Sequence, residues 1–349
     1  MSGQTRECSF ESSVQKSMRA VLFLSACILI FPASATAQSD IDAQISVLNL
    51  SLKKDFDAGK YDQALVAANK LVDLYTQKFG KNHVAAANAL KNRGFVENAK
   101  GDVKQAGNTL EDALDIYKKQ PELNKADQLN FISVYESLAS IKMQVSTASG
   151  ERYLTEALRL REKAGDFDSS QLAATIVGLA NIKYWARDYI AASDMYKRAL
   201  LIMAKRTTDL TDDKRAAIHA RTKCAYRKAK IEDQFIEVDE EYDNIIEHLP
   251  PTVKRLQQVQ GGVLNGKAIY LAKPSYPEEA RRVGASGTVR VEVLINEGGT
   301  IVSACALPRS EKTLIESSED AALNSKFSPT LLGGQPVKVA GVIVYNFVK

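Results

Sequence analysis

The chain has 349 residues, of which 45% are hydrophobic and 25% are charged, and its formal net charge is +4. This composition is typical of a soluble exported protein, and the length allows two folded domains, each with its own core. A charge this small on a chain of this length gives no reason to expect a nucleic-acid partner.

The N-terminal region has the pattern of a secretory leader. Met18-Arg19 precedes an apolar run over residues 20–31, and a small-residue triplet, Ala35-Thr36-Ala37, precedes Gln38. A basic start, an apolar stretch and small residues at the cleavage point are the parts of a signal peptide. The sequence therefore predicts a leader over residues 1–37, a mature chain that begins at Gln38, and a location in the periplasm.

Two other interpretations of the leader stay open. Leu24-Ser25-Ala26-Cys27 is similar to a lipobox, although the apolar run continues beyond the cysteine. Alternatively, the segment stays uncut as an inner-membrane anchor, with the rest of the chain facing the periplasm. Spanning the hydrocarbon takes about 20 apolar residues, and the run over residues 20–31 is shorter. Export with cleavage is therefore the favoured interpretation.

Residues 38–250 show no strand-like alternation but contain a repeat. A turn followed by a small residue recurs, so that Ala64, Ala106 and Ala192 are 42 and 86 positions apart, the second spacing being two steps of 43. The pattern resembles the tetratricopeptide repeat, whose period is about 34, and the longer period is similar to that of kinesin light chains. We expect an all-α solenoid in which a charged partial unit, residues 214–248, is the terminal cap.

Residues 251–266 are predicted to be a linker. This segment contains Gln257, Gln258, Gln260 and the pair Gly261-Gly262, and it has no sustained apolar face. A segment of this composition shows the period of neither a helix nor a half-buried strand.

The C-terminal region, residues 267–349, begins with the pattern of a hairpin. Apolar and polar side chains alternate over residues 289–295, which is the period of a half-buried strand. Gly298-Gly299 supplies the turn. Residues 301–307 are the expected antiparallel partner.

A helix and a third strand complete this region. Thr313 and Glu316 form a capping pattern, and the side chains that follow share one helical face. That face consists of Leu314, Ile315, Ser318, Ala321 and Ala322. Residues 337–348 are almost entirely β-branched or aromatic and contain no proline, which predicts a long strand. The predicted fold is a small α+β domain with the order β-β-α-β, an antiparallel sheet, and a short helix over residues 277–283 before it.

Five sequence motifs follow one another in this region: Lys273–Ala280, Gly287–Ile295, Gly298-Gly299, Phe327-Ser328-Pro329 and Gly334–Val337. In this order they resemble the TonB C-terminal domain. The resemblance implies docking of an extended peptide segment of an outer-membrane or envelope protein, with a TonB-dependent receptor as a candidate partner. It also implies a homodimer through this domain as an alternative. Energy transducers of the family carry Gln where this chain has Lys273, and that Gln helps to recognise the receptor.

The last strand is the predicted docking site. It is expected to close the sheet, and apart from Lys338 and Lys349 it lacks the charges that blunt an exposed edge. An exposed edge can bind an extended segment by main-chain hydrogen bonding. The predicted partner-binding residues lie on this strand and in the motif around Tyr276: Lys273, Tyr276, Val337, Val339, Val342, Val344 and Asn346.

The sequence contains no motif of catalysis or metal binding. His83, His219 and His248 are far apart, and neither HExxH nor CxxC occurs. Phosphate-binding loops and nucleophile elbows are also missing from the sequence. We therefore expect a non-enzymatic protein without a cofactor or a metal, in which the histidines are surface or capping residues.

Four further residues carry specific expectations. Tyr184 and Trp185 lie on a helix of the fourth repeat and are expected to pack inside the solenoid. Cys224 and Cys305 fall in different domains, and a disulfide requires Cα atoms within about 7 Å. We expect these two cysteines to be unpaired.

Three classes of function fit these patterns. The favoured one is an exported binding protein, in which the repeats grip a partner and the C-terminal domain adds an extended peptide to its sheet. The second is a membrane-anchored energy transducer for outer-membrane transport. The third is a repeat scaffold for envelope assembly.

Overall fold

The computed structural model describes residues 33–206, 212–248, 258–308 and 310–348. The apolar run of the predicted leader lies outside these ranges, and so does the predicted end of the repeat domain at residues 249–250. Within the described ranges, no helix combines the length and the apolar character that a membrane span requires.

The described part of the repeat domain contains ten α-helices, which pack as consecutive helical pairs. They are α1 (Ala33–Asp57), α2 (Tyr61–Phe79), α3 (Val84–Lys100), α4 (Val103–Lys118), α5 (Lys125–Met143), α6 (Thr147–Lys163), α7 (Ser170–Trp185), α8 (Tyr189–Ala204), α9 (Asp212–Lys228) and α10 (Phe235–Glu247). This arrangement confirms the predicted helical solenoid. The three recurring alanines, Ala64, Ala106 and Ala192, are fully buried, as expected for positions where neighbouring helices approach closely.

The turns inside four of these pairs share one geometry. The residue in the left-handed conformation donates its N–H to the carbonyl three positions earlier, and the next residue donates to the carbonyl five positions earlier. Gly59 and Gly101 hold the left-handed position in the first two pairs, with φ of 70° and 98°. Arg187 and Lys230 hold it in the last two pairs, with φ of 64° and 62°. A side chain in this conformation costs about 1 kcal/mol relative to glycine.

The C-terminal domain combines two helices with seven strands in the described residues. The elements are β1 (Gln258–Val263), β2 (Ala268–Tyr270), α11 (Glu278–Val283), β3 (Gly287–Ile295), β4 (Ile301–Ala306), α12 (Lys312–Leu323), β5 (Lys326–Phe327), β6 (Thr330–Leu332) and β7 (Gln335–Phe347). The main sheet has the order β1-β7-β3-β4, and β6 also pairs with β7. β2 and β5 form a separate two-stranded sheet.

The main sheet is covered on both faces. Val291 and Ile343 pack with Leu314 of α12 in the buried core of the domain. Because side chains alternate along a strand, Glu292 and Cys305 lie on the opposite face, where both contact α9 of the repeat domain. The sheet is therefore placed between its own helix α12 and the last helical pair of the solenoid.

The predicted β-β-α-β core is confirmed. β3 and β4 pair antiparallel, with Val291 opposite Ala306 and Val293 opposite Ala304. β7 pairs antiparallel with β3 along nine residues. The predicted apolar face of α12 is buried against the sheet at all its positions except the half-buried Ile315.

The prediction that residues 337–348 form an exposed edge is wrong. β1 pairs parallel with β7, with Gln258 opposite Lys338 and Val259 opposite Val339. Since β3 occupies the other side, β7 is an interior strand. If β7 had an unpaired edge, a row of its N–H and C=O groups would lack hydrogen-bond partners. β1 provides these partners.

The strand β1 also corrects the predicted linker. Of residues 251–266, the described portion forms β1, followed by a 3₁₀ turn over Asn265–Lys267. Gly261 can join a strand because it lacks a Cβ. A Cβ there would lie 2.6 Å from Val339 Cγ1. One of the two glycines that suggest a linker, Gly261, thus permits close packing on β7.

The prediction of unpaired cysteines is wrong as well. Cys224 and Cys305 form a disulfide, with their Cα atoms 5.9 Å apart. The bond is possible because α9 packs directly against β4. It joins two residues 81 positions apart and ties the repeat domain to the C-terminal domain.

Candidate functional site

The predicted docking residues on β7 are divided between its two faces. Val339 is buried in the core of the domain at 4% exposure, and Val337 is half-buried. Val342 and Val344 are half-buried on the opposite face, and Asn346 is exposed near the strand end. The structure therefore does not gather these side chains into one surface.

The motif before α11 has a structural role in this fold. The Tyr276 hydroxyl donates to the Ala285 carbonyl, and its ring packs edge-on against Phe347 with centroids 5.9 Å apart. These contacts fasten the segment to the end of β7. Lys273, on the same segment, is exposed.

After β1 ends, two further residues bond main-chain groups on the same side of β7. Leu264 donates its N–H to the Val342 carbonyl at 2.9 Å. The Asn265 side chain donates to the Val344 carbonyl at 2.7 Å and accepts from the Val344 N–H at 2.8 Å. This amide acts as a substitute for one more residue of the neighbouring strand.

Replacing Asn265 with alanine is expected to lower the free energy of unfolding by about 1–3 kcal/mol, because two half-buried main-chain groups of Val344 lose their partner. Urea unfolding of the intact protein measures the change. Asn324→Ala is the matched control, since this exposed amide makes one hydrogen bond within its own helix end. Equal losses from the two changes would contradict the role given to Asn265.

The two edge strands of the main sheet differ in what surrounds them. On β4, Cys305 is bonded to α9, and the Ala306 N–H donates to the Glu319 carboxylate at 2.6 Å. On β1, Gln260 and Val263 are exposed, Val263 at 60%, and the strand carries no charged residue. Among the residues that the structure describes, β1 is therefore the edge that is open to a further strand.

A buried carboxylate connects the two domains next to the disulfide. Glu319 of α12 is 1% exposed and accepts from the Lys228 ammonium of α9 at 2.6 Å. The Tyr184 hydroxyl donates to the same carboxylate at 3.4 Å. Burial lowers the pKa of Lys228, and Glu319 opposes that shift. Burial also raises the pKa of Tyr184, which keeps its hydroxyl protonated as a donor.

Other polar contacts extend this interface along α9. Arg227 pairs with Glu292 of β3 at 2.8 Å. At the other end of the helix, Asp213 accepts from the Asn296 amide at 2.8 Å and lies 3.4 Å from the Lys338 ammonium. Together with the disulfide, these contacts hold the sheet in a fixed orientation on the solenoid.

A cavity of about 500 Å³ opens at this interface. Its walls come from the ends of α7 and α9, the start of α8, the end of β4 and the first turns of α12. Tyr184, Trp185 and Tyr189 provide an aromatic wall. The Lys228 ammonium lies 4.7 Å from the Tyr184 ring centroid. The expectation that both aromatic residues pack inside the solenoid thus holds for Tyr184, which is buried, and is wrong for Trp185, which is 41% exposed.

The structure also locates the residues considered as metal ligands. His83 caps α3, where its Nδ1 accepts from the Ala85 N–H at 3.1 Å, and His219 contacts Asp239 at 2.5 Å. In the described part of the chain, one group of three potential ligands lies close together: Cys224, Cys305 and Glu319. The disulfide uses both sulfurs of that group.

Solved structures match more than half of the chain at low identity. BtubC (BKLC) from P. vanneervenii is 15% identical, with a TM-score of 0.46, over 63% of this chain and 97% of that protein. A protein of Podosopora anserina described as a kinesin light chain with nearly identical TPR-like repeats is 16% identical, with a TM-score of 0.43, over 59% and 95%. MamA is 14% identical, with a TM-score of 0.39, over 58% and 92%. No match was found among curated proteins.

Two family models match separate parts of the chain. Residues 55–119 match the tetratricopeptide repeat. Residues 272–348 match the model described as Gram-negative bacterial TonB protein C-terminal. Both matches agree with the helical pairs and the β-β-α-β core described above, and both families mediate protein–protein interactions. The chain therefore joins tetratricopeptide-type helical repeats to a TonB C-terminal domain.

Proposed function

We propose that this chain is a non-enzymatic periplasmic protein that binds an extended segment of an envelope partner along the outer edge of β1. The observation that carries the proposal is the position of β1, an uncharged strand at the open edge of the main sheet. Main-chain hydrogen bonding to such an edge is a common way to recognise an extended peptide.

Two independent features support the periplasm as the compartment. The leader pattern over residues 1–37 predicts export. The Cys224–Cys305 disulfide is typical of proteins in an oxidising compartment such as the bacterial periplasm. An envelope protein of a two-membrane bacterium is the partner class that the TonB C-terminal match favours.

The strength of this binding can be estimated from the length of β1. Five or six ladder hydrogen bonds at about 1 kcal/mol each give roughly 5 kcal/mol, which barely offsets the cost of association. A peptide alone should therefore bind with micromolar or weaker affinity. The repeats are fixed relative to the sheet, so a second contact on the solenoid would raise the effective concentration of the same partner.

Charged side chains on β1 are expected to weaken this binding at least tenfold, because charges blunt a sheet edge. The variant is Gln260→Lys with Val263→Lys, both at exposed positions. The control is Ile269→Lys with Tyr270→Lys on β2, at positions 69% and 57% exposed. Peptides are first selected on the intact protein from a display library of periplasm-facing segments of outer-membrane proteins.

The affinity of the selected peptides is then measured for both variants by fluorescence anisotropy. The β1 variant should lose at least tenfold in affinity, which corresponds to about 1.4 kcal/mol, while the β2 control keeps the wild-type value. Unchanged binding by the β1 variant, with a wild-type melting temperature, would reject β1 as the docking edge.

A further inference from the structure

The interdomain cavity has a charged and aromatic lining that takes no part in peptide docking at β1. We infer that it is a binding site for a small organic anion that carries an aromatic or apolar body. Its volume of about 500 Å³ lies within the range of small-molecule sites.

The charges around the cavity favour an anion. Among the described residues, five cationic side chains and two carboxylates line it, so cations are in excess. They are Arg187, Arg227, Lys228, Lys230 and Lys312, with Glu316 and Glu319. Two of the cations are already neutralised, since Lys228 pairs with Glu319 at 2.6 Å and Arg227 pairs with Glu292 at 2.8 Å.

The remaining three cations are available to a ligand. Arg187, Lys230 and Lys312 form no ion pair with any residue in the described ranges. Arg187 and Lys230 are exposed, and they approach the cavity from the two turns that end α7 and α9. Lys312 approaches from the start of α12, so both domains contribute to the site.

The backbone at two of these cations supports a binding role. Arg187 and Lys230 hold the left-handed turn position that Gly59 and Gly101 hold in the first two repeats. They are the two non-glycine residues with positive φ in the described part of the chain, and both line this cavity. Strained backbone of this kind concentrates at functional sites. A glycine would build the same turn without strain, so the turn geometry does not require these side chains.

The aromatic wall indicates which chemical group the ligand carries besides its anionic group. Trp185 is 41% exposed beside the buried Tyr184, with their ring centroids 5.3 Å apart. An apolar or aromatic body can pack on this wall while its anionic group lies near the unpaired cations. Phosphate or sulfate alone would leave the aromatic wall in contact with water.

The chain offers a direct reporter, because Trp185 is its single tryptophan. The probe is 1-anilinonaphthalene-8-sulfonate, an aromatic anion, titrated into the intact oxidised protein. Binding should quench the Trp185 emission and produce energy transfer to the probe. N-phenyl-1-naphthylamine, which has the same ring system without the sulfonate, should bind more weakly.

The test variant is Arg187→Gly with Lys230→Gly. Glycine suits both turns, so the variant should keep or raise the wild-type melting temperature. Probe affinity should fall roughly tenfold, because two partly exposed charge interactions are lost. Lys119→Gly, an exposed cation at the end of α4, is the matched control and should bind as wild type.

Two results would overturn the inference. The first is equal affinity of the wild type and the Arg187→Gly, Lys230→Gly variant for the sulfonate probe. The second is equal affinity of the wild type for the charged and the uncharged probe. Neither result bears on β1, because the probe titration does not involve the sheet edge.

Discussion

Replacing Glu319 with alanine is expected to lower the free energy of unfolding by about 3–5 kcal/mol. The carboxylate is 1% exposed, and it accepts from the Lys228 ammonium and the Ala306 N–H, both at 2.6 Å. Without it, a buried ammonium and a buried main-chain donor lose their acceptor. Breaking one partner of a buried ion pair leaves an uncompensated charge, which costs far more than the pair itself contributes.

Glu316→Ala is the matched control for this prediction. Glu316 lies on the same helix one turn earlier and is exposed, so its removal should change stability by less than about 0.5 kcal/mol. The double variant Glu319→Met with Lys228→Met should recover much of the loss, because both charges are then removed together. Urea unfolding curves of the four proteins measure these differences. A loss from Glu319→Ala no larger than that from Glu316→Ala would contradict the buried interdomain pair.

Glu319 illustrates what the sequence alone does not reveal. The face of α12 that packs on its own sheet follows helical periodicity, and the positions from Leu314 to Ala322 on that face are predicted correctly. Glu319 lies outside that face and has the pattern of a solvated residue. Its burial depends on a second contact, between α12 and the solenoid, which no local period encodes.

The strands likewise include some that the sequence predicts and one that it does not. β3 and β7 are predictable because their β-branched residues alternate or run continuously. β1 has the sequence Gln-Val-Gln-Gly-Gly-Val, in which two valines separated by glycines make no sustained apolar face, and it becomes a strand because it pairs with the edge of β7. The position of β7 inside the sheet therefore cannot be read from β7 itself, and the predicted docking site was placed on a strand that is already paired.

Removal of the Cys224–Cys305 disulfide is the second change with a large expected effect. The bond closes a loop of 81 positions, and the chain-entropy model for such a loop gives a stabilisation of about 4.5 kcal/mol. The double variant Cys224→Ala with Cys305→Ala avoids leaving a single reactive thiol. Both sulfurs are buried, so alanine at each position removes the cross-link with a small change in packing.

Urea unfolding of the oxidised wild type and the double variant measures the effect of the disulfide. Reduction of the wild type should lower its unfolding midpoint to a value near that of the double variant, whereas the same reductant should leave the double variant unchanged. Mass spectrometry of non-reduced peptides should detect Cys224 linked to Cys305. Free thiols at both positions in protein purified without reductant would contradict the bond.

These two changes also distinguish anion binding in the interdomain cavity from peptide binding at β1. The ion pair lines the interdomain cavity, and the disulfide ties together the two domains that form it, so disrupting either should weaken anion binding. The open edge of β1 lies on the far side of the sheet order from β4, and its main-chain groups do not depend on α9. Peptide affinity per folded molecule should therefore change little in the double alanine variant.

Hydrogen–deuterium exchange on the intact protein, with and without a selected envelope peptide, tests whether the peptide docks on β1. We expect new protection within β1, residues 258–263, of the backbone amides that point away from β7, because a partner strand supplies acceptors for them. The amides of β4 should exchange at the same rate with and without the peptide. Protection that appears on β4 or the solenoid alone, with β1 unchanged at saturating peptide, would contradict docking at the β1 edge.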